Sequence, residues 1–546
     1  MPTTHGSGFP EIETCVSALG EPLPVFCCHR SCVKLGCSLC CIMEMCYLCR
    51  AMVPYRISRQ AKEKNYNMMK YYYRFLSRWG QIAAIVALLM YVCPAGAQYL
   101  RTSYFMESAQ YRMQLNPALA PAKGFVHLPG IGHVNASVRS NTLGLDDVID
   151  IIENKDDADY FASDRFMSDL KDQNLALANV GTDLLAVGWW HNEHSFWSIN
   201  FSVKADGDLS VQRNLFSFMR DMRGMESNDY SNYVRDLGEQ ELNVNAYSEI
   251  GLGYTHRFND RFSAGVHVKG LLGMGNAHLK INKAVIRTNL EGVAPDIDWS
   301  KAGPDELMAV RGTASVEVDA LLESSIEGLE YETTSQGYID NLDFDAQNMG
   351  VSGLGAGIDI GVSGRVAGGL SLSAALVDLG FIKWSKGSTK VAHANTEDLA
   401  FDSENPGDVL RFSDVVGSGE VLNLDMMRLY IDEDGVKSRT TSLIPSMVLG
   451  ADYTFAGDKL SLGILYTNYF AHVRNESELT MSVNYKPSNF VGLTASYSPV
   501  LCGGKSVGFA LKLGPLFVGT DYMFMGKNTK CCNALFGLSI PLSSRK

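Results

Sequence analysis

The sequence of 546 residues contains no apolar run long enough to make a helical membrane span. Its most apolar stretch, Ile82 to Cys93 in QIAAIVALLMYVC, has twelve residues, whereas a helix needs roughly 17 to 25 to cross the hydrocarbon of a bilayer. A bundle of membrane helices is therefore excluded. Beyond residue 97 there is also no proline-rich linker, no low-complexity tract and little cysteine. Of the 13 cysteines, nine lie between Cys15 and Cys49, one is Cys93, and Cys502, Cys531 and Cys532 are the rest. Positive charge is scarce as well: residues 98–546 hold 37 Lys plus Arg against 55 Asp plus Glu, a net charge near -18. That balance argues against a nucleic-acid footprint.

Recognisable catalytic signatures are missing too. Residues 98–546 contain no P-loop or dinucleotide fingerprint between a strand and a helix. His191, Glu193 and His194 in WWHNEHSF lack the H-E-x-x-H spacing that puts two histidines on one helix face, so a hairpin turn is expected there. Asp432, Glu433 and Asp434 precede Gly435, but a calcium loop would want its glycine sixth and a glutamate twelfth, where Leu443 stands. A hairpin loop is again the expectation. Cys531 and Cys532 are adjacent, and adjacent cysteines rarely bridge each other; a bridge from Cys502 to one of them is open. No catalytic, cofactor-binding or metal-binding residue is nominated, and neither an enzyme nor a cofactor is expected.

What is present begins with an address. Lys70, Arg74 and Arg78 precede the short apolar core, and Pro94 and Ala95-Gly96-Ala97 follow it. A basic flank, a short apolar stretch and an A-x-A site define a secretory signal peptide. Residues 68–97 are thus expected to be the signal, with Met68 or Met69 as the start and Gln98 as the first mature residue. Residues 1–67 read as a gene-model extension with no structure of its own. Their two C-x-x-C pairs, Cys37/Cys40 and Cys46/Cys49, sit five residues apart with no surrounding domain pattern, so a zinc module is not expected.

Residues 98–546 show period two again and again. In WSINFSVKAD, Trp197, Ile199, Phe201, Val203 and Ala205 alternate with Ser198, Asn200, Ser202, Lys204 and Asp206. Phe262, Ala264, Val266 and Val268 alternate with Ser263, Gly265, His267 and Lys269, and Leu479, Met481, Val483 and Tyr485 with Thr480, Ser482, Asn484 and Lys486. Such alternation marks strands with one apolar and one polar face. Short turns at Asn259-Asp260, Ala456 to Lys459 and Pro487 to Asn489 join them into hairpins.

Strand candidates of about nine to twelve residues suit a tilted crossing of a bilayer. Aromatic residues cluster at their ends, as in AVGWWHNEHSFWSINF, where interfacial girdles would lie. Glycines in Gly350 to Leu376 are expected to relieve the curvature of a closed sheet. Only helices and closed sheets satisfy every backbone polar group in lipid. The expected fold is therefore all-β: a transmembrane antiparallel β-barrel of about 14 strands over residues 98–546. Short helices or a long loop are expected at Asn141 to Asp172, amphipathic helices at Asn214 to Asp236, and an outer loop or lid at Lys386 to Asp425.

The opening QYLRTSYFMESAQYRMQLNPALAP, with Asn116-Pro117-Ala118 after a polar lead, and the glycine-rich hairpins that follow resemble the DUF5723-type outer-membrane proteins of Bacteroidota. They are more distantly similar to the fatty-acid transporter FadL and to the PorV and PorP group, and the similarity to FadL-like proteins implies a plug-like N-terminal segment, 98–130, ahead of the strands. LVDLGFIKW, Leu376 to Trp384, is similar to a strand end in such barrels. From the residues alone, LNPALAP is a turn or a plug anchor, since two prolines four apart prevent a regular helix. The end, GLSIPLSSRK, departs from the usual terminal aromatic, although Phe536 and Ile540 fit a final strand.

The resemblance implies a location in the cell outer membrane, in contact with outer-membrane lipid and lipopolysaccharide. The expected function is binding or passive passage of a small amphipathic or hydrophobic solute, with the N-terminal segment yielding. The alternative is a non-transporting envelope scaffold or accessory protein that binds another outer-membrane or secreted component.

Overall fold

The computed structural model describes residues 100–544, apart from 145–146, 148–149, 151–159, 161–162, 225–229, 294–308, 346–347, 349, 397–398, 406–407, 409–426, 456–458, 472–474, 489, 501–503 and 523–529. The expected signal peptide and cysteine-rich leader, and Cys502, lie outside the described residues.

Two short pieces, β1 (Lys123–His127) and β2 (Val134–Ser140), lie end to end between β3 (Gln173–Trp190) and the last strand, β23 (Cys531–Ser544). This pairing of first with last closes the sheet. From β3 the wall continues through β4 (Ser195–Gln212), past β5 (Tyr233–Asp236), to β6 (Gln240–Arg257) and β7 (Phe262–Glu291).

Above the barrel, β8 (Arg311–Ile326) pairs with the far half of β7. A hairpin of β9 (Leu329–Thr333) and β10 (Ile339–Phe344) follows, and β11 (Gly353–Ala367) then pairs with the near half of β7. Next come β12 (Leu370–Trp384), β13 (Thr389–Ala394), β14 (Ala400–Asp402), β15 (Leu429–Ile431), β16 (Thr440–Ser442) and β17 (Ser446–Phe455). The meander ends with β18 (Leu460–Tyr469), β19 (Glu476–Tyr485), β20 (Val491–Val500), β21 (Ser506–Leu513), β22 (Leu516–Thr520) and β23. Counting collinear pieces once, the result is a closed antiparallel barrel of 14 strands.

Alternation assigns the two faces as the sequence predicts. On β19, Met481, Val483 and Tyr485 point outward and are 44–47% exposed, while Thr480, Ser482 and Asn484 are buried inside. On β7, Phe262 and Val268 are exposed and Lys269 is buried. Leu462, Ile464, Ile250 and Leu252 extend the outward apolar surface around the wall. An apolar outside and a polar inside on a closed sheet define a transmembrane barrel. No helix among the described residues is long and apolar enough to cross a membrane.

The wall is uneven. Strands β18, β19 and β20 have ten residues each, the length of a single crossing. Strands β3, β4 and β6 have 18 and β7 has 30, longer than the nine to twelve expected. The short turns, such as 191–194, 258–261 and 368–369, share one end, so the surplus rises at the opposite end, where the long connections lie. There β13 and β14 pair with β8, and β13 also with β15, so much of the described part of Lys386 to Asp425 extends the sheet. This corrects the expected loop or lid. The reason is that backbone left unpaired by the tall edge of β8 is satisfied by adding strands.

Among the described residues, two α-helices stand in the long connections. Helix α1 (Asp164–Asp169) begins at Ser163, whose hydroxyl accepts from the Phe166 amide. Helix α2 (Arg213–Gly224) is amphipathic, as expected of this segment, but Tyr233 to Asp236 forms β5 against β7 instead of a further helix.

Candidate functional site

Residues 100–121 do not join the wall. They fold into short 3-10 turns, at Arg101–Ser103 and Gln110–Gln114, and lie within the lumen. These residues lie where a plug is expected, and β1 begins at Lys123, inside the segment assigned to it.

The plug is fastened at several levels by polar contacts. Near the long-connection ends of β18 and β19, Arg101 is buried against Glu478, Tyr522 and Asp521, and its guanidinium donates to the Tyr469 hydroxyl at 3.2 Å. Asp521 also accepts from the Arg101 amide at 3.1 Å and the Thr102 amide at 2.7 Å. Arg139 shares Glu478 at 2.9 Å and reaches Glu476 at 3.2 Å. Two guanidinium groups thus compensate three buried carboxylates, an arrangement that holds only while its members stay together.

Midway, the Tyr111 hydroxyl donates to the Gly132 carbonyl at 2.7 Å, and the Gln110 amide donates to the Ser539 hydroxyl at 2.8 Å. Beside them, His127 lies 2.8 Å and His133 3.5 Å from Asp183. Between β1 and β2 the chain leaves the wall at Leu128 to His133 and exposes Pro129 and Ile131. The sheet stays bonded beneath: Leu128 donates to the Leu538 carbonyl and Leu538 to that of Ile131, both at 3.1 Å.

Asn116-Pro117-Ala118 forms the centre of the plug. Asn116 is fully buried. Its amide donates to the Tyr104 hydroxyl at 3.0 Å and to the Val362 and Ala374 carbonyls at 3.3 and 3.4 Å. Its side-chain oxygen accepts from the Ala118 amide at 2.9 Å, and the Pro117 carbonyl accepts from the Thr255 hydroxyl at 2.6 Å. Wall glycines make room for this turn. A Cβ at Gly361 would meet the Asn116 side-chain oxygen at 2.1 Å, and one at Gly265 the Pro117 carbonyl oxygen at 2.2 Å. LNPALAP is thus the plug anchor that its residues allow, and these two glycines keep its space clear.

Cavities lie on both sides of this anchor. One of 350 Å³ is lined by Ala118 together with Tyr104, Phe105 and Arg112 of the plug and with short-turn residues such as Arg261, Lys459 and Lys486. On the other side, Pro117 lines a cavity of 70 Å³ with His127, Glu249 and Lys269. A third, of 80 Å³, shares Asp183, Ser202 and Lys204 with the second and reaches Arg139 and Tyr469. Around these two, Lys269 contacts Asp359 at 2.7 Å and Asp378 at 2.6 Å, and Lys204 contacts Glu249 at 2.7 Å. The upper lumen is a charged, hydrogen-bonded lining with little free volume.

Arg112 differs from these paired groups. Burial holds its guanidinium below the ordinary arginine range, against the opposing pull of Glu107, Tyr104 and Asp452. Among the described residues its Nε atom, sealed from solvent, has no hydrogen-bond partner.

The residues weighed for metals fall where the sequence places them. His191, Glu193 and His194 lie exposed in the turn between β3 and β4, and the neighbouring Trp190 donates its indole N–H to the Pro121 carbonyl at 3.0 Å. Asp432 accepts the Gly435 amide at 2.7 Å in a turn after β15. Among the described residues, no group of three or more His, Cys, Asp or Glu could hold a metal ion. Sequence reasoning missed Arg101, Arg112 and the Glu478–Asp521 network, because the partners come from opposite ends of the chain.

Fold and lumen together define a plugged transmembrane β-barrel. The chain belongs to the Family of unknown function (DUF5723), whose sequence model matches residues 117–521. No curated protein matches. Solved structures similar to this chain include a TodX monoaromatic hydrocarbon channel deltaS2 mutant, at 10% identity over 82% of this chain and 96% of that one, with a TM-score of 0.36. The Pseudomonas putida toluene transporter TodX gives 9% identity over 82% and 93%, with a TM-score of 0.32. A Pseudomonas aeruginosa FadL homologue gives 9% over 82% and 93%, with a TM-score of 0.25.

Proposed function

We propose that this protein is an outer-membrane channel that passes a small amphipathic solute when its N-terminal plug shifts. The observation that carries the reading is the stack of cavities parted at Asn116-Pro117-Ala118, where Ala118 lines the lower one and Pro117 the upper. The anchor is held by hydrogen bonds to wall carbonyls and hydroxyls, contacts that water can replace as the segment moves. The short-turn end faces the periplasm, and the tall wall of β7, β8 and β13 rises outward among lipopolysaccharide.

Solute would descend from the outer mouth past the Arg139 level and leave at the periplasmic cavity. Small steps of Asn116 and Pro117 away from the Gly361 and Gly265 positions would join the two spaces. The test is solute uptake by liposomes containing the signal-free protein. Uptake above protein-free vesicles is expected, and its absence, with no conductance, would remove the transport reading.

A second reading, an envelope accessory protein, draws support from the β9–β10 hairpin, where Leu342 and Phe344 are exposed. Residues 409–426, within the insert that would carry a docking patch, lie outside the described residues. Retention of an envelope protein by the purified barrel, lost on deleting the hairpin, would favour that reading.

A further inference from the structure

We propose that the 350 Å³ cavity at the short-turn end is a binding site for a small, soluble organic anion bearing carboxylate or phosphate groups, with Arg112 as its central contact. Four cations line this cavity without a side-chain hydrogen bond or ion pair among the described residues: Arg112 from the plug, Arg261 and Arg365 from the wall, and Lys459 from a turn. Lys486 lines it too, but contacts Glu107 at 2.8 Å. The remaining carboxylates on the lining are Asp260 and Asp452, so the unpaired charge is positive.

Elsewhere in the lumen this protein pairs its buried cations closely, as at Arg101, Arg139 and Lys269. Arg112 breaks that pattern. Glu107 and Asp452 act on its charge from nearby, but among the described residues neither is paired with it. An anion in the cavity would supply the missing partner: a guanidinium presents a planar fork that matches carboxylate and phosphate oxygens. The volume falls at the small end of the ligand-pocket range, roughly 300 to 1,000 Å³. Its position inside the lumen, behind the wall, selects a soluble anion over a lipid headgroup.

The site can be tested apart from passage across the membrane, because binding is read in detergent. Isothermal titration of the folded, signal-free barrel with citrate, and separately with inorganic phosphate, should give saturable binding of at least one probe that weakens with added salt. Arg112→Gln should weaken that binding by about tenfold or more, as expected for loss of a charged hydrogen bond. Arg112→Lys should retain part of it. Arg365→Gln, on an exposed residue, tests the same field without touching the plug and should weaken binding severalfold. Heat-modifiable migration on gels checks that each variant is folded. No binding of either probe, or binding unchanged in both Arg112→Gln and Arg365→Gln, would overturn the assignment. Binding with no solute flux would leave the site standing and remove only the channel reading.

Discussion

Replacing Gly265 with alanine puts a methyl group where the plug backbone now sits. The new carbon would lie 2.2 Å from the Pro117 carbonyl oxygen, 2.3 Å from its carbon and 2.6 Å from the Ala118 nitrogen, against an ordinary contact distance of at least 3.4 Å. The turn must retreat by about 1.2 Å or the wall must bend, and overpacking of this kind costs about 1–3 kcal/mol. A retreat also breaks the bond from the Thr255 hydroxyl to Pro117, now 2.6 Å, a further loss of about 1 kcal/mol. Together the plug anchor would lose about 2–4 kcal/mol, which raises its local opening roughly 30-fold or more. Hydrogen exchange reads this directly at the Ala118 amide, now bonded to the Asn116 side chain, and at the Leu119 amide, now bonded to the Asn116 carbonyl. Faster exchange there, with barrel strands such as β19 unchanged, is the expected result. Exchange within threefold of the wild type at both amides would refute the claim that Gly265 is kept small for the plug.

Arg101→Met leaves Glu478 and Asp521 buried without the guanidinium that now contacts both. Loss of about 3 kcal/mol is expected in urea unfolding, at the low end for a broken buried pair because Arg139 stays on Glu478; a loss below about 1 kcal/mol would contradict the network. Val483→Arg puts a charge on the outward face, where Val483 is 47% exposed. It should cost about 2–4 kcal/mol in a bilayer if the residue lies near the midplane, and no cost in lipid would remove it from the membrane belt. Glu107→Gln breaks a pair whose carboxylate is largely exposed, and the unfolding free energy should change by less than about 1 kcal/mol.

The barrel itself was legible because lipid and lumen impose opposite polarities on successive residues. Met481 and Val483 against Ser482 and Asn484 could be read as two faces before any pairing was known. The extension beyond the ten-residue strands was not. Strand β8, RGTASVEVDALLESSI, pairs with the far half of β7, and its neighbours β13 and β14 are short segments that read as loop. The plug was legible as a segment, through Asn116-Pro117-Ala118 and the resemblance those residues carry, but not as a set of contacts. Arg101 meets Glu478 and Asp521 only after the sheet closes, and no local spacing encodes that meeting. The same holds for Arg112, Arg261, Arg365 and Lys459. They are unremarkable cations in the sequence and become a site because plug, wall and turn converge at one end.

The central claim, that residues 100–121 close a lumen able to open, is tested most directly by planar-bilayer recording of the signal-free protein beside its Gly265→Ala variant. A wild-type barrel that is closed most of the time with brief openings is expected, and a variant that opens more often with steps of the same kind. Silence from both proteins, or a wild type that stands open with the same open probability as the variant, would contradict it.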